Sequence, residues 1–158
     1  MRNIIKRTIL TAVCIFTIAS QTMPVMAADT PQTVTVADAT QTSDAIAIFN
    51  LCNQKRLEAG LRPYTWNAEL ARAASVRAAE ASKALSHVRP DGTAFYTVSS
   101  EVYGENLSWN LNDATGIVTG WMNSTLHRAN LLDAGYRTCG IAIYKVGNTW
   151  YCAAEFGY

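Results

Sequence analysis

Apolar positions recur at helical spacing from Asp44 to Ala59, where Ala45, Ile48, Phe49 and Cys52 fall on one side. With Asp44 or Ser43 as cap and Gly60 as stop, the stretch predicts a first helix. After a turn over Leu61 to Trp66, Asn67 caps a second helix expected to reach about Leu85. Its stripe of Leu70, Ala73, Ala74, Ala81 and Ala84 is narrow and alanine-rich, suited to close packing on a sheet, and both helices are expected to cover the same core. The period then falls to two, and Gly104 to Trp109 reads as a short strand with one buried face. Asp113 opens a third helix to about Met122, interrupted by Gly116 and Gly120, and Ser124 caps a short fourth one. Cys139 to Tyr144 and Thr149 to Phe156 alternate large and small residues around Val146-Gly147-Asn148, which predicts a hairpin. If Gly147-Asn148 is a two-residue turn, Cys139 stands opposite Phe156 and Cys152 opposite Ile143. Helices first, an antiparallel hairpin last and one strand between predict an α+β layered domain.

The chain ahead of this pattern carries other signals. Arg2, Lys6 and Arg7 precede an apolar run from Thr8 to Ala19, and Val25-Met26-Ala27 supplies small residues at a cleavage site, so residues 1–27 read as a secretory signal peptide. The apolar run is shorter than the roughly 20 residues a membrane span needs. Residues 28–43 are rich in Thr, Ala and Gln without an aromatic residue, the composition of a flexible spacer, with an edge strand over Thr33-Val34-Thr35-Val36 as the alternative. That leaves residues 44–158 as one domain with a single core. Losing the signal removes three cations and no acid, so 13 Lys and Arg against 12 Asp and Glu become 10 against 12, a net charge of −2. No basic run or basic helix face remains to hold a nucleic acid. The expected product is secreted, without a membrane span, and a monomer.

Three cysteines lie in the domain: Cys52, Cys139 and Cys152. The expected hairpin register sets Cys139 and Cys152 about four residues apart, beyond disulfide reach, so any bridge would involve Cys52. Three small buried hydrophobes is the other reading.

The chemistry gathers between His87 and Leu131. His87 opens His87-Val88-Arg89-Pro90-Asp91-Gly92, a turn sequence expected to fix the end of the second helix. Glu105, flanked by Gly104 and Asn106 on a half-buried strand, is expected to be buried and hydrogen-bonded, with His87 and His127 as the natural donors. His127, Asn130 and Leu131 share one side of the fourth helix, which gives His127 an inward face. Asn106 is expected to bond backbone and hold its strand in place. Two imidazoles and a carboxylate are the ligand types of an open zinc site, although no local spacing forces His87, His127 and Glu105 together. Three readings stay open: pocket histidines hydrogen-bonded to Glu105, a site for zinc or another divalent cation, and acid/base or metal-assisted hydrolysis. A Ser124–His127–Glu105 nucleophile is disfavoured, because a capping serine commits its oxygen to backbone donors and no oxyanion-hole motif is present.

Taken in order, HVRPDG, YGENLSW, WMNSTLHRANLL, CGIAIY and WYCAAEFGY resemble the CAP superfamily of cysteine-rich secretory, antigen 5 and pathogenesis-related proteins, in its short bacterial form. The resemblance runs from about Asp44 to Tyr158, and GEN and HRAN are its most specific parts. It implies a three-layer α-β-α sandwich with a small antiparallel sheet, and a cleft lined by His87, Glu105 and His127, with Trp121, Asn106 and Asn130 as supporting residues. The family's second acid, three residues after its tryptophan, is here Ser124. Relatives of this kind bind sterols or other lipids or act on partner proteins. The resemblance therefore points to a non-enzymatic cleft for a small-molecule, lipid or cell-surface ligand or a divalent metal, with a secreted peptidase-like hydrolase or an extracellular lipid-binding protein as alternatives.

Overall fold

A computed structural model describes residues 42–158 of the chain. The expected signal peptide and nearly all of the spacer lie outside the described residues. The elements run α1 (Ser43–Glu58), β1 (Thr65–Trp66), α2 (Ala68–Ala81), β2 (Gly104–Trp109), α3 (Ala114–Asn123), α4 (Thr125–Leu131), β3 (Thr138–Val146) and β4 (Thr149–Gly157). The sheet order is β1-β3-β4-β2, which makes β2 an edge. The hairpin holds the expected register, with Cys139 facing Phe156 and Ile143 facing Cys152.

The sheet is mixed rather than wholly antiparallel. Two-residue β1 enters parallel to β3, bonded through Thr65 N–H to the Arg137 carbonyl and Asn67 N–H to the Cys139 carbonyl, both at 3.0 Å. So short a strand leaves no alternation to read.

The first two helices do not share a core. Side chains alternate across a strand, and β3 and β4 are apolar on both faces, so each face needs its own cover. Ala45, Ile48, Phe49 and Cys52 of α1 pack with Ile117, Trp121 and Leu131 against Cys139, Ile141, Cys152, Ala154 and Phe156. On the opposite face Ala74, Ala78 and Ala81 of α2 meet Leu107, Ala142 and Ala153. The alanine stripe lets α2 approach so closely that a Cβ on Gly140 would stand 2.0 Å from the Ala71 nitrogen.

Helix ends differ from expectation in detail. Thr42 caps α1, its hydroxyl accepting from Ala45 N–H. Asn67 caps α2 as expected, but α2 stops at Ala81 rather than near Leu85, and Ala84 is exposed. Beyond Ala81 the chain enters a turn at Ser82 and Lys83, and Lys83, Ala84 and Leu85 are exposed. Asp113 caps α3, which runs unbroken through Gly116 and Gly120.

Candidate functional site

Three elements bring the polar residues to the open edge of β2. The α2 helix contributes Arg77, the chain following it contributes His87, and α4 contributes His127. Glu105 points to the α2 side of the sheet and Asn106 to the α4 side, as strand alternation requires.

Glu105 is 2% exposed and its carboxylate accepts three hydrogen bonds. Arg77 Nε donates to Oε2 at 2.6 Å and Arg77 Nη2 to Oε1 at 3.2 Å. The His87 Nδ1 stands 2.7 Å from Oε1. Burial pushes the Glu105 carboxyl up, but hydrogen bonds from His87 and Arg77 outweigh it and hold the group below the usual carboxylate range. An ionised Glu105 can only accept, so Nδ1 of His87 carries a proton, and in the neutral ring Nε2 keeps its lone pair. Arg77 also donates to the carbonyl oxygen of Ser86 at 2.6 Å, which anchors the residue before His87. Glu80 joins Arg77 to Arg89, at 2.5 Å and 2.8 Å, and so braces the Pro90-Asp91-Gly92 turn.

On the other side Asn106 Nδ2 donates to the His127 carbonyl at 2.8 Å. Asn130 Nδ2 donates to the Glu105 carbonyl at 3.0 Å and to Asn106 Oδ1 at 3.1 Å. Trp121 Nε1 donates to the Leu107 carbonyl at 3.0 Å. Asn106, Trp121 and Asn130 thus join β2 to α3 and α4. The His127 ring is half-buried, and burial, with a smaller effect of His87, holds its pKa below the usual histidine value. It does not donate to Glu105, contrary to expectation; Arg77 takes that part. Ser124 occupies the position before α4, but its hydroxyl makes no capping bond. The backbone carbonyl of Ser124 accepts from Arg128 N–H at 2.8 Å, the first bond of α4.

Together these residues border a cleft of about 420 Å³ that takes in His87, Glu105, Ser124 and His127, with Phe95 and Tyr103 beside them. A roomier groove of about 690 Å³ lies between α2 and β3, but no histidine reaches it.

The donor set does not complete a metal centre. Glu105 spends its oxygens on Arg77 and His87, which leaves two imidazoles where an open zinc site uses three protein ligands. Among the described residues no group of three or more His, Cys, Asp or Glu side chains is placed to hold a metal ion.

Sequence reasoning missed two residues of this region. Arg77 falls on the buried stripe of α2, at helical spacing from Leu70, Ala73, Ala74 and Ala81, where a lone cation signals a buried partner. Glu155 sits in a strand with apolar residues on both faces, facing Glu105 in register.

A model of the cysteine-rich secretory protein family, CAP, matches residues 49–156. The chain belongs to the CAP family. YkwD of Bacillus subtilis, an uncharacterised protein, is 24% identical over 131 residues, covering 78% of this chain and 51% of its own. A cysteine-rich secretory protein of Staphylococcus aureus is 25% identical with a TM-score of 0.58, over 73% of this chain and 39% of that one. An extracellular SCP-domain protein of Bacillus anthracis is 23% identical with a TM-score of 0.65, over 73% of this chain and 40% of that one. This CAP chain thus spans about half or less of the length of these relatives. Among its described residues no helix is long and apolar enough to cross a membrane.

Proposed function

We propose that the cleft at the edge of β2 binds a ligand outside the cell without turning it over, and that His87 and His127 are its polar contacts. The observation that carries this is the state of Glu105. An acid locked between Arg77 and His87 and closed to solvent is a positioning group, not a mobile general base. Nor does Ser124 hydrogen-bond His127 among the described residues, so no activated nucleophile is assembled. What the cleft offers is imidazole nitrogen beside apolar surface: His87 Nε2 and His127, flanked by Phe95, Tyr103 and Leu126. Tyr103 and Leu126 are 55% and 78% exposed, which suits the apolar part of an amphipathic ligand whose hydroxyl donates to an imidazole. Export by the N-terminal segment is part of the same proposal, in keeping with the B. anthracis relative.

The test compares the wild-type protein with His87→Ala/His127→Ala. Titration with hydroxyl-bearing amphipathic compounds, followed by amide NMR, is expected to move signals around the cleft in the wild type alone. Zinc is expected to give equal heats in both proteins by calorimetry. Turnover of an ester or peptide panel by the wild type, lost in the double variant, would replace this reading with the hydrolase. Loss of a zinc heat in the double variant would replace it with a metal site.

A further inference from the structure

Glu155 is fully buried in β4, opposite Glu105 in the β2–β4 register. Opposed residues of an antiparallel pair project from the same face, so both side chains lie beneath α2. On the other side the register partner is Gly140, where the backbone of α2 closes over the sheet. Both carboxyl oxygens of Glu155 are sealed from solvent, and neither is in hydrogen-bonding geometry with a partner among the described residues.

Counting charges decides the protonation state. The charged groups facing Glu155 are Glu105 from β2 and Arg77 from α2; its register partner in β3 is Gly140, and the Cys139 thiol lies on the opposite face of the sheet. Arg77 is the one cation among these, and it already answers Glu105 and Glu80. A second carboxylate would face a like charge with no cation of its own, and an unpaired buried charge neutralises rather than persists. Burial and the neighbouring Glu105 charge both push the Glu155 carboxyl far above its usual range.

Counting acceptor sites points to where the proton goes. A carboxylate has about four lone-pair positions. Glu105 uses three of them, for His87 Nδ1, Arg77 Nε and Arg77 Nη2. We propose that Glu155 is a neutral acid and a positioning residue of the cleft, directing its O–H at the remaining acceptor position of Glu105 from behind. The two facing glutamates then hold one negative charge between them, matched by Arg77, and Glu105 keeps Oε1 turned to His87. The functional meaning of this pair rests on the binding reading above, but its geometry does not.

The deciding experiment is infrared difference spectroscopy of the whole protein at neutral pH. Wild type minus Glu155→Gln is expected to show the C=O stretch of a protonated carboxylic acid, and Glu105→Gln is expected to shift that band. No protonated band means an ionised Glu155 and overturns the proposal. So does a band that Glu105→Gln leaves in place, because the proton then goes elsewhere. Should either variant fail to fold, carboxyl-carbon NMR of the wild type decides: Glu155 must stay at its neutral-acid shift at neutral pH, and an ordinary carboxylate titration overturns the assignment. For the positioning role, Glu155→Leu removes a donor from Glu105 and is expected to displace the His87 ring signals in NMR, with Glu155→Gln restoring them. Unchanged His87 ring signals in Glu155→Leu would limit Glu155 to packing and defeat that role. Failure of ligand binding leaves these spectra untouched, so the two proposals fail separately.

Discussion

Asn130 Nδ2 donates to the carbonyl oxygen of Glu105 at 3.0 Å, and so ties the helix of His127 to the strand whose side chain holds His87. Replacing Asn130 by Ala leaves that carbonyl and Asn106 Oδ1 without a donor. Each lost partner on a buried group costs about 1–3 kcal/mol. The expected result is a lower urea midpoint with an unchanged slope, and amide shifts concentrated in α4. Shifts spread evenly over the domain would contradict a local clamp.

Arg77 is the counter-ion of Glu105, with both side chains essentially closed to solvent. Arg77→Met should cost about 3–5 kcal/mol by leaving a buried charge uncompensated. Lysine lacks the fork that meets both oxygens, so Arg77→Lys should recover little of it. Arg77→Met/Glu105→Gln should be more stable than Arg77→Met alone. If the double variant is the weaker of the two, the pair is not the source of the loss.

Three buried or half-buried titrating groups should make stability depend on pH in opposite senses. His127 has a native pKa below its ordinary 6.5, so the unfolded chain takes up the proton first and stability declines as pH drops through that region. Glu105, held below 4.5, adds a second loss at lower pH as its carboxylate is protonated. Glu155 is raised, so its contribution is complete in acid and is lost as pH rises toward its native pKa. Denaturation across a pH series should show His127→Gln removing the decline that sets in as pH drops through 6.5, and Glu155→Gln removing the loss that sets in as pH rises above 4.5. A curve that these variants leave unmoved would refute the assignment.

Cys52, Cys139 and Cys152 are unbridged and buried. Burial pushes the Cys52 thiol up to about 12 against a smaller opposing effect of the Arg56 charge, and holds the other two well above their usual value. None should react with a thiol reagent at neutral pH until the protein is denatured, when all three should. Rapid labelling of any one in the native protein would be the contrary result.

Much of this was legible in the residues. The hairpin register followed from a two-residue turn, and the burial of Glu105 from a carboxylate set among apolar positions. His87 as its partner followed from the need to satisfy a buried acid. Arg77 could have been read too, since it occupies a stripe position on α2, but apolar periodicity counts only the alanines around it. Glu155 was harder. In Cys152-Ala153-Ala154-Glu155-Phe156 small residues on both faces hide which side is covered, and only the pairing with β2 places the acid behind Glu105. The same two-sided apolarity is why α1 and α2 took opposite faces. The hydroxyl of Ser124 makes no capping bond although the residue holds the cap position, an outcome that side-chain preference does not reveal.

An edge strand ordinarily invites another chain to pair with it. In β2 the carbonyls of Glu105 and Leu107 are already taken by Asn130 and Trp121, so two successive rungs of any added strand are filled before it arrives. A peptide cannot be recognised here by extending the sheet. Whatever enters must be chosen by its fit to imidazole and aromatic side chains, and the protein is spared edge-to-edge polymerisation along the side where its cleft opens.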